Sequence, residues 1–587
     1  MMRSAACTKI LIVSFAVWFV FLFFVARHLS SLRFTNGGTT TENEFDVVNS
    51  KLETAIHKLK VLQQHNDDLK LLISEISNPN NLKDDKAIDK LLNRAENLAE
   101  DVSRKMESSV PIPDGGPEAQ YELMRKQIND DAREFWFYIS AQTAKLREKA
   151  KKNSPEIADQ LSEFLNVATQ HKLSLFKDLY QLGEVDGYAS WREAEAHSLA
   201  KELERRLKHL QNPKDCSTAK KIVCNLNKGC GFGCQIHHAA YCLIVAYATK
   251  RTLILTSKGW RYHKNGWEDI FLPVSDTCLS PAGSSRVGWP GKPEAQVIAL
   301  PIIDTLTPKP DYLPPAIPSD LAPRLTRLHK MPIVWWIGQM LRYLMRPQPS
   351  TTDFLNYSKK RLKFQKPIVG VHIRRTDKIG TEAAFHPIEE YMKKVSDWYD
   401  QQENNNVEIK SRRIFLATDD PKVIAEAREK YPDYEVLGDP EIAKTAAMST
   451  RYSDNSLYGI LLDVYLLSLS DHLVCTFSSQ VCRAAYELMQ TYVPDATSHF
   501  TSLDDSYYYG GQNGHPAVAV IDHQAETALE LDLKVGDQIA IAGNHWDGYS
   551  KGRNLRTNQI GLFPSFKVQN RVKVADFPSY AEVPNTK

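Results

Sequence analysis

The stretch Ile368-Val-Gly-Val-His372-Ile-Arg374-Arg375-Thr-Asp377-Lys378 decides the fold of this chain. It begins as a short apolar run typical of a buried strand and then becomes densely charged. Because ligands of α/β sheets bind beyond the carboxyl ends of the strands, two arginines and Lys378 predict a diphosphate site here. Glu382 follows within one loop and could serve as a carboxylate base at the same centre. The alternative is a surface network of ion pairs in which these charges neutralise one another.

Four further short apolar runs alternate with helical segments around this stretch, at 252–255, 297–300, 414–417 and 473–477. Short buried strands between helices are typical of α/β layers with parallel sheets. The pattern therefore predicts a catalytic α/β domain over residues 212–505.

Two more predicted strand ends carry polar residues, and each leaves two interpretations open. Asp419 and Asp420 could bind a sugar or hold neighbouring arginines, but they could equally cap a helix that begins near Pro421. Ser479 lies in Phe-Ser-Ser-Gln480, where hydroxyls and helix N–H groups suit phosphate oxygens; simple capping of that helix is the alternative.

A glycine-rich turn, Gly229-Cys-Gly231-Phe-Gly233-Cys234, precedes a predicted helix at 235–249. Such a turn lets the backbone approach a ligand closely, but it matches neither of the common nucleotide-binding loops and is a weak signal alone. The chain also contains no Asp-x-Asp, the common metal motif of enzymes that use sugar nucleotides. This favours side chains rather than Mg²⁺ or Mn²⁺ as the groups that neutralise a leaving diphosphate.

Charge and composition exclude several classes of protein. The 587 residues carry 73 Lys and Arg against 71 Asp and Glu, so a dedicated nucleic-acid binder is excluded. Only residues 10–26 are apolar enough to span lipid, which predicts a cytoplasmic tail (1–9) and a transmembrane signal anchor. The alternative is a cleaved signal peptide. A short span favours membranes of the early secretory route.

Cysteine usage agrees with a lumenal body. Of nine cysteines, Cys7 precedes the predicted anchor and eight follow it, and an even number in an oxidising compartment indicates disulfides. Zinc binding by Cys230, Cys234, His237 and His238 is the alternative, but their spacing is not that of paired zinc ligands. Asn356 heads the one glycosylation sequon in the chain.

The N-terminal third is predicted to be helical. Residues 27–110 form a stem in which heptads at 52–76 and a second apolar run at 88–102 predict a coiled coil. Such a coil would join two copies of the chain as a homodimer. The alternative is an amphipathic stem helix that packs on the rest of the same chain. After a proline-rich linker at 111–117, helices continue to residue 211, with breaks at 153–155 and 183–187.

Residues 512–574 contain short strands and turns in the order of an SH3-like barrel: a first strand, an acidic loop, a tryptophan (Trp546) and a Gly-x-x-Pro turn. The barrel has a single tryptophan, and its first motif reads Val-Ile-Asp522-His. Fewer aromatic side chains are therefore available to bind proline-rich peptides. The remaining residues, 575–587, are expected to be a tail.

Together with this order of parts, the motifs at 372–387, 230–234 and 475–482 closely resemble those of the animal α-1,6-fucosyltransferases. The resemblance covers nearly the whole chain. It implies a two-lobed glycosyltransferase fold of the B type with a Rossmann-like donor lobe, in a single-pass type II protein of the Golgi membrane whose catalytic domain is lumenal. It also implies inverting transfer of L-fucose from GDP-fucose to O6 of the innermost GlcNAc of N-glycoproteins, without a metal.

The resemblance also implies roles for individual residues. Arg374 would hold the β-phosphate, Lys378 would neutralise the leaving group, and Glu382 would be the general base. His372 and Asp463 would read guanine. The other donor residues would be Tyr262, Gly231, Phe232, Gly233, Ser479, Arg375, Asp377, Asp419 and Asp420. The acceptor residues would be Lys228, Asp304, Gln480, Asp504, Tyr508 and, from the SH3 unit, His545. The implied disulfides are Cys216–Cys278, Cys224–Cys242, Cys230–Cys234 and Cys475–Cys482.

Two other functions remain open on the residues alone. Another GDP-sugar transferase, such as a protein O-fucosyltransferase, would carry a similar arginine-rich anion site. A non-enzymatic lumenal scaffold would combine a coiled-coil stem, an inert α/β body and an SH3-like module, and the basic cluster with Glu382 disfavours it.

Overall fold

The computed structural model describes residues 116–376, 384–447, 449–510 and 514–583. The predicted cytoplasmic tail (1–9), signal anchor (10–26) and coiled-coil stem (27–110) lie outside these residues. Among the helices that are described, none is both long enough and apolar enough to cross a membrane.

The part of the chain that the structure describes begins with three long helices: α1 (Ala119–Asn153), α2 (Pro155–Val185) and α3 (Ala189–Gln211). The two predicted breaks fall between them. Pro155 occupies the first turn of α2, where its missing N–H costs nothing because that group has no partner within a helix. Leu199, Leu203 and Leu207 of α3 repeat at helical spacing and are fully buried against the first lobe.

The first lobe contains a parallel sheet of four strands in the order β2-β1-β4-β3. Its elements are β1 (Lys221–Asn225), α4 (Phe232–Ala248), β2 (Thr252–Thr256), β3 (Arg286–Gly288), β4 (Val297–Ala299), β5 (Ala316–Pro318), α5 (Ala322–Leu328), α6 (Pro332–Leu344) and α7 (Pro349–Arg361). Fifteen of the seventeen residues of α4 are buried, which makes it the central helix of this lobe.

The second lobe contains a parallel sheet of five strands in the order β10-β9-β6-β7-β8. Its elements are β6 (Val369–Ile373), α8 (Ile388–Asn404), β7 (Arg412–Thr418), α9 (Pro421–Lys430), β8 (Tyr434–Leu437), α10 (Pro440–Thr445), α11 (Asp454–Leu469), β9 (His472–Cys475), α12 (Gln480–Met489) and β10 (Phe500–Ser502). All five residues of β6 are buried, as its apolar sequence predicts, and it is the middle strand of the sheet.

The two sheets with their helices confirm the predicted α/β architecture. A five-stranded antiparallel sheet then follows, in the order β14-β13-β12-β11-β15. Its strands are β11 (His515–Ala519), β12 (Gln538–Asn544), β13 (Tyr549–Asn554), β14 (Ile560–Pro564) and β15 (Val568–Asn570). This is the predicted SH3-like barrel, and Phe563 and Ile539 lie in its own small core.

The end of the chain is more ordered than the expected tail at 575–587. Strand β16 (Lys573–Ala575) pairs in parallel with β5 of the first lobe. Further on, the Tyr580 ring stacks on Tyr247 at 4.6 Å between centroids, and its hydroxyl donates to the Tyr247 carbonyl at 2.7 Å. We call residues 573–580 the C-terminal strap. The sequence shows no pattern for this strap, because its partners lie more than 250 residues away, on another domain.

We expect Tyr580→Ala to destabilise the protein by about 3 kcal/mol, because it empties a buried aromatic site and removes a hydrogen bond. Tyr580 is only 4% exposed. Differential scanning calorimetry should show a melting temperature lower by several degrees. Val574→Ala is the matched control, since Val574 lies on the same strap but is 49% exposed, and its melting temperature should barely change. Equal effects of the two variants would show that the strap does not hold the first lobe.

The described residues contain four disulfides, and all four are those implied by the resemblance: Cys216–Cys278, Cys224–Cys242, Cys230–Cys234 and Cys475–Cys482. The zinc alternative at Cys230 and Cys234 is therefore wrong, because the two sulfurs bond each other. Within the described residues, one group of His, Cys and acidic side chains has metal-like proximity, Cys224, His238 and Cys242, and its two cysteines are likewise joined.

Candidate active site

Arg374 leaves the carboxyl end of β6 and lies beside Asp419 at the end of the neighbouring strand, β7. The guanidinium and carboxylate are 3.0 Å apart, and both side chains are largely buried. Asp419 also accepts from the backbone N–H groups of Arg375 (2.8 Å) and Thr376 (3.0 Å) and from the Thr376 hydroxyl. Burial alone would raise the pKa of Asp419, but Arg374 and these donors hold it below its ordinary value. An ionised Asp419 thus fixes the start of the basic loop.

The two residues next to this pair have different surroundings. Asp420 caps α9 by accepting from the Lys422 N–H at 3.0 Å, so the capping interpretation of the Thr-Asp-Asp motif applies to this residue. Arg375 pairs with Glu426 of α9 at 3.2 Å and lies 5.0 Å from the centre of the Phe385 ring. Asp377, Lys378 and Glu382 lie outside the described residues.

His372 and Asp463 are both desolvated ionisable groups of the second lobe. Burial, with a contribution from Arg374, lowers the pKa of His372 to about 4, so its ring is neutral. Its Nδ1 is buried and has no hydrogen-bond partner among the described residues. Asp463 lies on α11 and keeps some solvent contact, yet burial together with Asp439 raises its pKa to about 8. Each group is therefore favoured in its uncharged form by burial and by a neighbouring like charge.

The turn after β9 brings Ser479 and Gln480 to the start of α12. Asp504, which follows β10, accepts from the backbone N–H of Phe477 at 2.7 Å and of Ser478 at 3.2 Å, and so holds this turn in place. Ser479 is the N-cap residue of α12, but its side chain makes no capping hydrogen bond. The serine is 6% exposed and lies at the same sheet edge as Arg374.

The turn of Gly231–Gly233 forms the start of α4 and lies against the start of α12. A Cβ atom at Gly233 would lie 2.8 Å from the Cβ of Gln480, so only glycine permits this approach. The Tyr262 hydroxyl accepts from the Phe232 N–H at 2.9 Å, and the two rings meet edge to face. Burial raises the pKa of Tyr262 to about 12, so its hydroxyl stays neutral and can also donate a hydrogen bond. The predicted donor turn of the first lobe thus contacts the start of α12, where Gln480, a predicted acceptor residue, follows Ser479, a predicted donor residue.

The predicted acceptor residues surround the same region. Lys228 pairs with Asp304 at 2.6 Å, just before the glycine turn. Tyr508 lies under Arg483 of α12, with the guanidinium 4.0 Å from the ring centre. The SH3 unit approaches through Trp546, whose indole N–H donates to the Asp504 carbonyl at 2.6 Å. His545 is the residue before this tryptophan. Burial and Asp504 raise the pKa of Asp505, and His545 partly offsets that rise.

Sequence reasoning missed a second contact between the lobes. His263 lies between Asp269 of its own lobe and Asp454 at the start of α11, with 2.8 Å between its Nδ1 and the Asp454 carboxylate. Arg261 stacks on Tyr452 nearby, at 3.8 Å from the ring centre. No local pattern could have found this latch, because its two sides are about 190 residues apart in the chain.

We expect the His263 latch to weaken as pH rises. Burial alone would lower the pKa of His263, but Asp269 and Asp454 outweigh it and raise the pKa above the ordinary 6.5. A raised folded-state pKa means that the stabilisation is complete below pH 6.5 and is lost as pH rises through the folded value. The melting temperature of His263→Gln should therefore fall below wild type at pH ~5.5 and approach it by pH ~8.5. A difference that does not change with pH would contradict the charged latch; His197→Gln, on exposed α3 surface, is the control.

The geometry provides a restrained cation at the same sheet edge as a helix start whose N-cap side chain makes no capping hydrogen bond, and a glycine-containing turn that lies against this helix start. Arg374 is the residue best placed to hold a phosphate oxygen, because Asp419 restrains its guanidinium at the carboxyl edge of the sheet, and a planar guanidinium is suited to phosphate oxygens. The neutral His372 and the uncapped start of α12 add hydrogen-bond donors along the same edge. Such a site can bind a nucleoside diphosphate and stabilise negative charge that develops on it.

Comparison with known proteins agrees with this chemistry. A family model described as alpha-(1,6)-fucosyltransferase N- and catalytic domains matches residues 1–508. A relative named alpha-(1,6)-fucosyltransferase from Drosophila melanogaster is 50% identical over 581 residues, covering 93% of each chain. The chain belongs to the α-(1,6)-fucosyltransferase family.

As a member of this family, the chain is a glycosyltransferase. A second relative of the same name, from Caenorhabditis elegans, is 41% identical over 517 residues, or 87% of this chain and 90% of that one. An SH3 family model matches residues 518–565 of this chain, which confirms the barrel. The solved fucosyltransferase NodZ from Bradyrhizobium is 13% identical over 46% of this chain and 93% of that chain, with a TM-score of 0.30, too low to support a conclusion.

Proposed function

We propose that this enzyme transfers L-fucose from GDP-fucose to O6 of the innermost, Asn-linked GlcNAc of N-glycans, with inversion at the anomeric carbon. The observation that carries the proposal is the Arg374–Asp419 pair at the carboxyl end of β6. It holds a permanent cation, in fixed orientation, where the β-phosphate of a nucleotide sugar would sit. Lys378 then neutralises the leaving group, and Glu382 takes the proton from the acceptor hydroxyl.

The base-recognition part of the donor site is assigned to His372 and Asp463. Buried hydrogen-bonding groups without protein partners cost free energy, and a ligand that pairs with them recovers it. The unpartnered Nδ1 of His372 and the desolvated carboxyl of Asp463 therefore suit the N–H and carbonyl groups of guanine. Tyr262, the 231–233 turn and Ser479 complete the donor site between the two lobes.

The acceptor glycan is assigned to one side of the site, next to Lys228 and Asp304. Gln480, Asp504 and Tyr508 follow β9 and β10 into the same region, and the Trp546 contact with Asp504 brings the SH3 unit beside it. Charged and amide groups of this kind bind the hydroxyls of a glycan. His545 lies next to Trp546 and supplies the SH3 contribution.

The reaction is proposed to need no metal ion. Fixed guanidinium and ammonium groups from Arg374 and Lys378 take over the charge that Mg²⁺ would otherwise neutralise on the diphosphate. We further propose that the enzyme is a type II Golgi protein with a lumenal catalytic domain, anchored by residues 10–26, and that the stem helices at 27–110 make it a homodimer. Protease protection in microsomes and light scattering of the protein with and without residues 27–110 test these two points.

The experiment that tests the function uses the purified lumenal chain, GDP-fucose and an N-glycopeptide, with product analysis by mass spectrometry. We expect one added deoxyhexose on the innermost GlcNAc, and the same rate after dialysis against EDTA. Fucose on a serine or threonine would favour a protein O-fucosyltransferase, and failure to bind GDP-agarose would favour the scaffold. An enzyme that EDTA inactivates and a divalent cation revives would overturn the metal-free mechanism.

A further inference from the structure

A buried pair, His237 and Glu487, lies between the two lobes, and nothing in the proposed chemistry uses it. Nε2 of His237, on α4, is 2.8 Å from a carboxylate oxygen of Glu487, on α12. Glu487 has no solvent exposure and His237 is 6% exposed. A buried charge pair rarely adds net stability over apolar residues of the same shape, so its presence calls for a role beyond stability.

Each member of the pair also contacts an element of the active site. Nδ1 of His237 is 2.6 Å from the carbonyl oxygen of Gly233, in the glycine turn. The hydroxyl of Tyr507 donates to the other carboxylate oxygen of Glu487 at 2.7 Å, and the hydroxyl of Tyr509 donates to the His237 carbonyl at 2.7 Å. Tyr508, a proposed acceptor residue, lies between these two tyrosines. The donor turn and the acceptor segment are thus bonded to one pair of side chains.

Two separate contacts tie α4 to α12. At one end Gly233 lies against Gln480, the first residue of α12. At the other end, one turn further along α4 and two turns further along α12, His237 meets Glu487. Because both ends are fixed, the glycine turn cannot slide relative to Ser479 and Gln480 without breaking the histidine–glutamate bond.

The hydrogen-bond geometry also fixes the number of protons in the pair. A carbonyl oxygen only accepts, so Nδ1 of His237 carries a proton. The 2.8 Å contact between Nε2 and Glu487 needs one more proton, which either group can hold. The pair is therefore neutral as a whole, and Gln in place of Glu487 can preserve every bond: its amide N–H donates to a neutral Nε2, and its oxygen accepts from Tyr507.

We propose that His237 and Glu487 are positioning residues for fucosyl transfer, which set the distance between the donor turn and the acceptor segment. This inference rests on the proposed function, in which the 231–233 turn lines the donor and Tyr508 contacts the acceptor. The pair touches neither substrate. It acts through Gly233 on one side and through Tyr507 and Tyr509 on the other.

The test compares Glu487→Leu, Glu487→Gln and His237→Phe in the whole lumenal chain, assayed well below their melting temperatures. We expect Glu487→Leu and His237→Phe to lower kcat by ~10²-fold, because small displacements of reacting groups have effects of this size. GDP affinity, measured by calorimetry, should change less than about threefold, because Arg374 is held separately by Asp419. Glu487→Gln should keep kcat within about threefold of wild type, since it retains the hydrogen bonds.

Asp495→Leu is the control, because the partly buried Asp495 carboxylate forms another histidine–carboxylate contact, with the fully buried His329, away from the glycine turn. It should lower the melting temperature but leave the kcat of the folded enzyme unchanged. If Glu487→Leu behaves like this control, or if Glu487→Gln loses as much kcat as Glu487→Leu, the positioning role is wrong.

Arg374→Ala, tested in parallel, separates this inference from the proposed function. If Arg374→Ala binds GDP normally, the proposed donor site itself is misplaced. If Arg374→Ala loses GDP binding while Glu487→Leu keeps a normal kcat, the proposed function stands and only the positioning role is overturned.

Discussion

Glu382→Gln is expected to abolish detectable fucosyl transfer while GDP still binds with wild-type affinity. A sugar hydroxyl is a weak nucleophile, and removing a general base typically costs 10²–10⁴-fold in rate, or ~3–5 kcal/mol in barrier height. The amide of glutamine has nearly the same shape but cannot take the proton. Single-turnover transfer to an N-glycopeptide and calorimetric titration with GDP measure the two quantities separately.

The control for this variant is Glu390→Gln, which neutralises a carboxylate on α8 that bonds His386 and lies in the segment just after the loop. Its transfer rate should stay near that of wild type. Glu382→Asp should retain some activity, because it keeps a carboxylate but withdraws it by about one methylene. Transfer at near wild-type rate by Glu382→Gln would reject Glu382 as the base.

Arg374→Ala is expected to weaken GDP binding by ~10–10²-fold and to lower kcat/KM by at least ~10²-fold. Two losses contribute. The diphosphate loses a charge-assisted, bidentate partner, and Asp419 keeps a buried negative charge whose main counter-ion has gone. The unpaired carboxylate would itself repel the diphosphate. The variant should therefore bind GDP more weakly than the loss of a hydrogen bond alone would predict.

Arg374→Lys helps to separate the two losses, because it restores the charge but not the planar fork, and it should recover only part of the GDP affinity. Arg412→Ala is the matched control. Arg412 pairs with Asp400 and Glu403 at the amino end of β7, the opposite edge of the same sheet. It should cost some stability and leave GDP affinity unchanged. Unchanged GDP affinity in Arg374→Ala would remove Arg374 from the donor site.

Much of the second lobe could be predicted because its signals are local. The apolar run at 368–371 and the charges that follow it are adjacent in the chain, so a buried strand with a polar carboxyl end follows from residue type alone. The choice between the two roles of Thr-Asp-Asp could not be made locally. Asp419 and Asp420 are neighbours, yet one holds Arg374 and the other caps α9. The position of β6 decides which of the two aspartates holds Arg374 and which caps the helix.

Local sequence patterns are enough to predict the order of the domains, the alternating α/β regions, the SH3-like barrel and the residue types that make a phosphate site. These follow from periodicity, turn residues and charge placement, which act over a few residues. Three contacts appear only in the folded chain: the pairing of His237 with Glu487, 250 residues away, the latch of His263 on Asp454, and the docking of Tyr580 on the first lobe. Such contacts depend on which surfaces the packed helices and sheets bring together, and partners this far apart in the chain leave no local pattern by which they could be recognised.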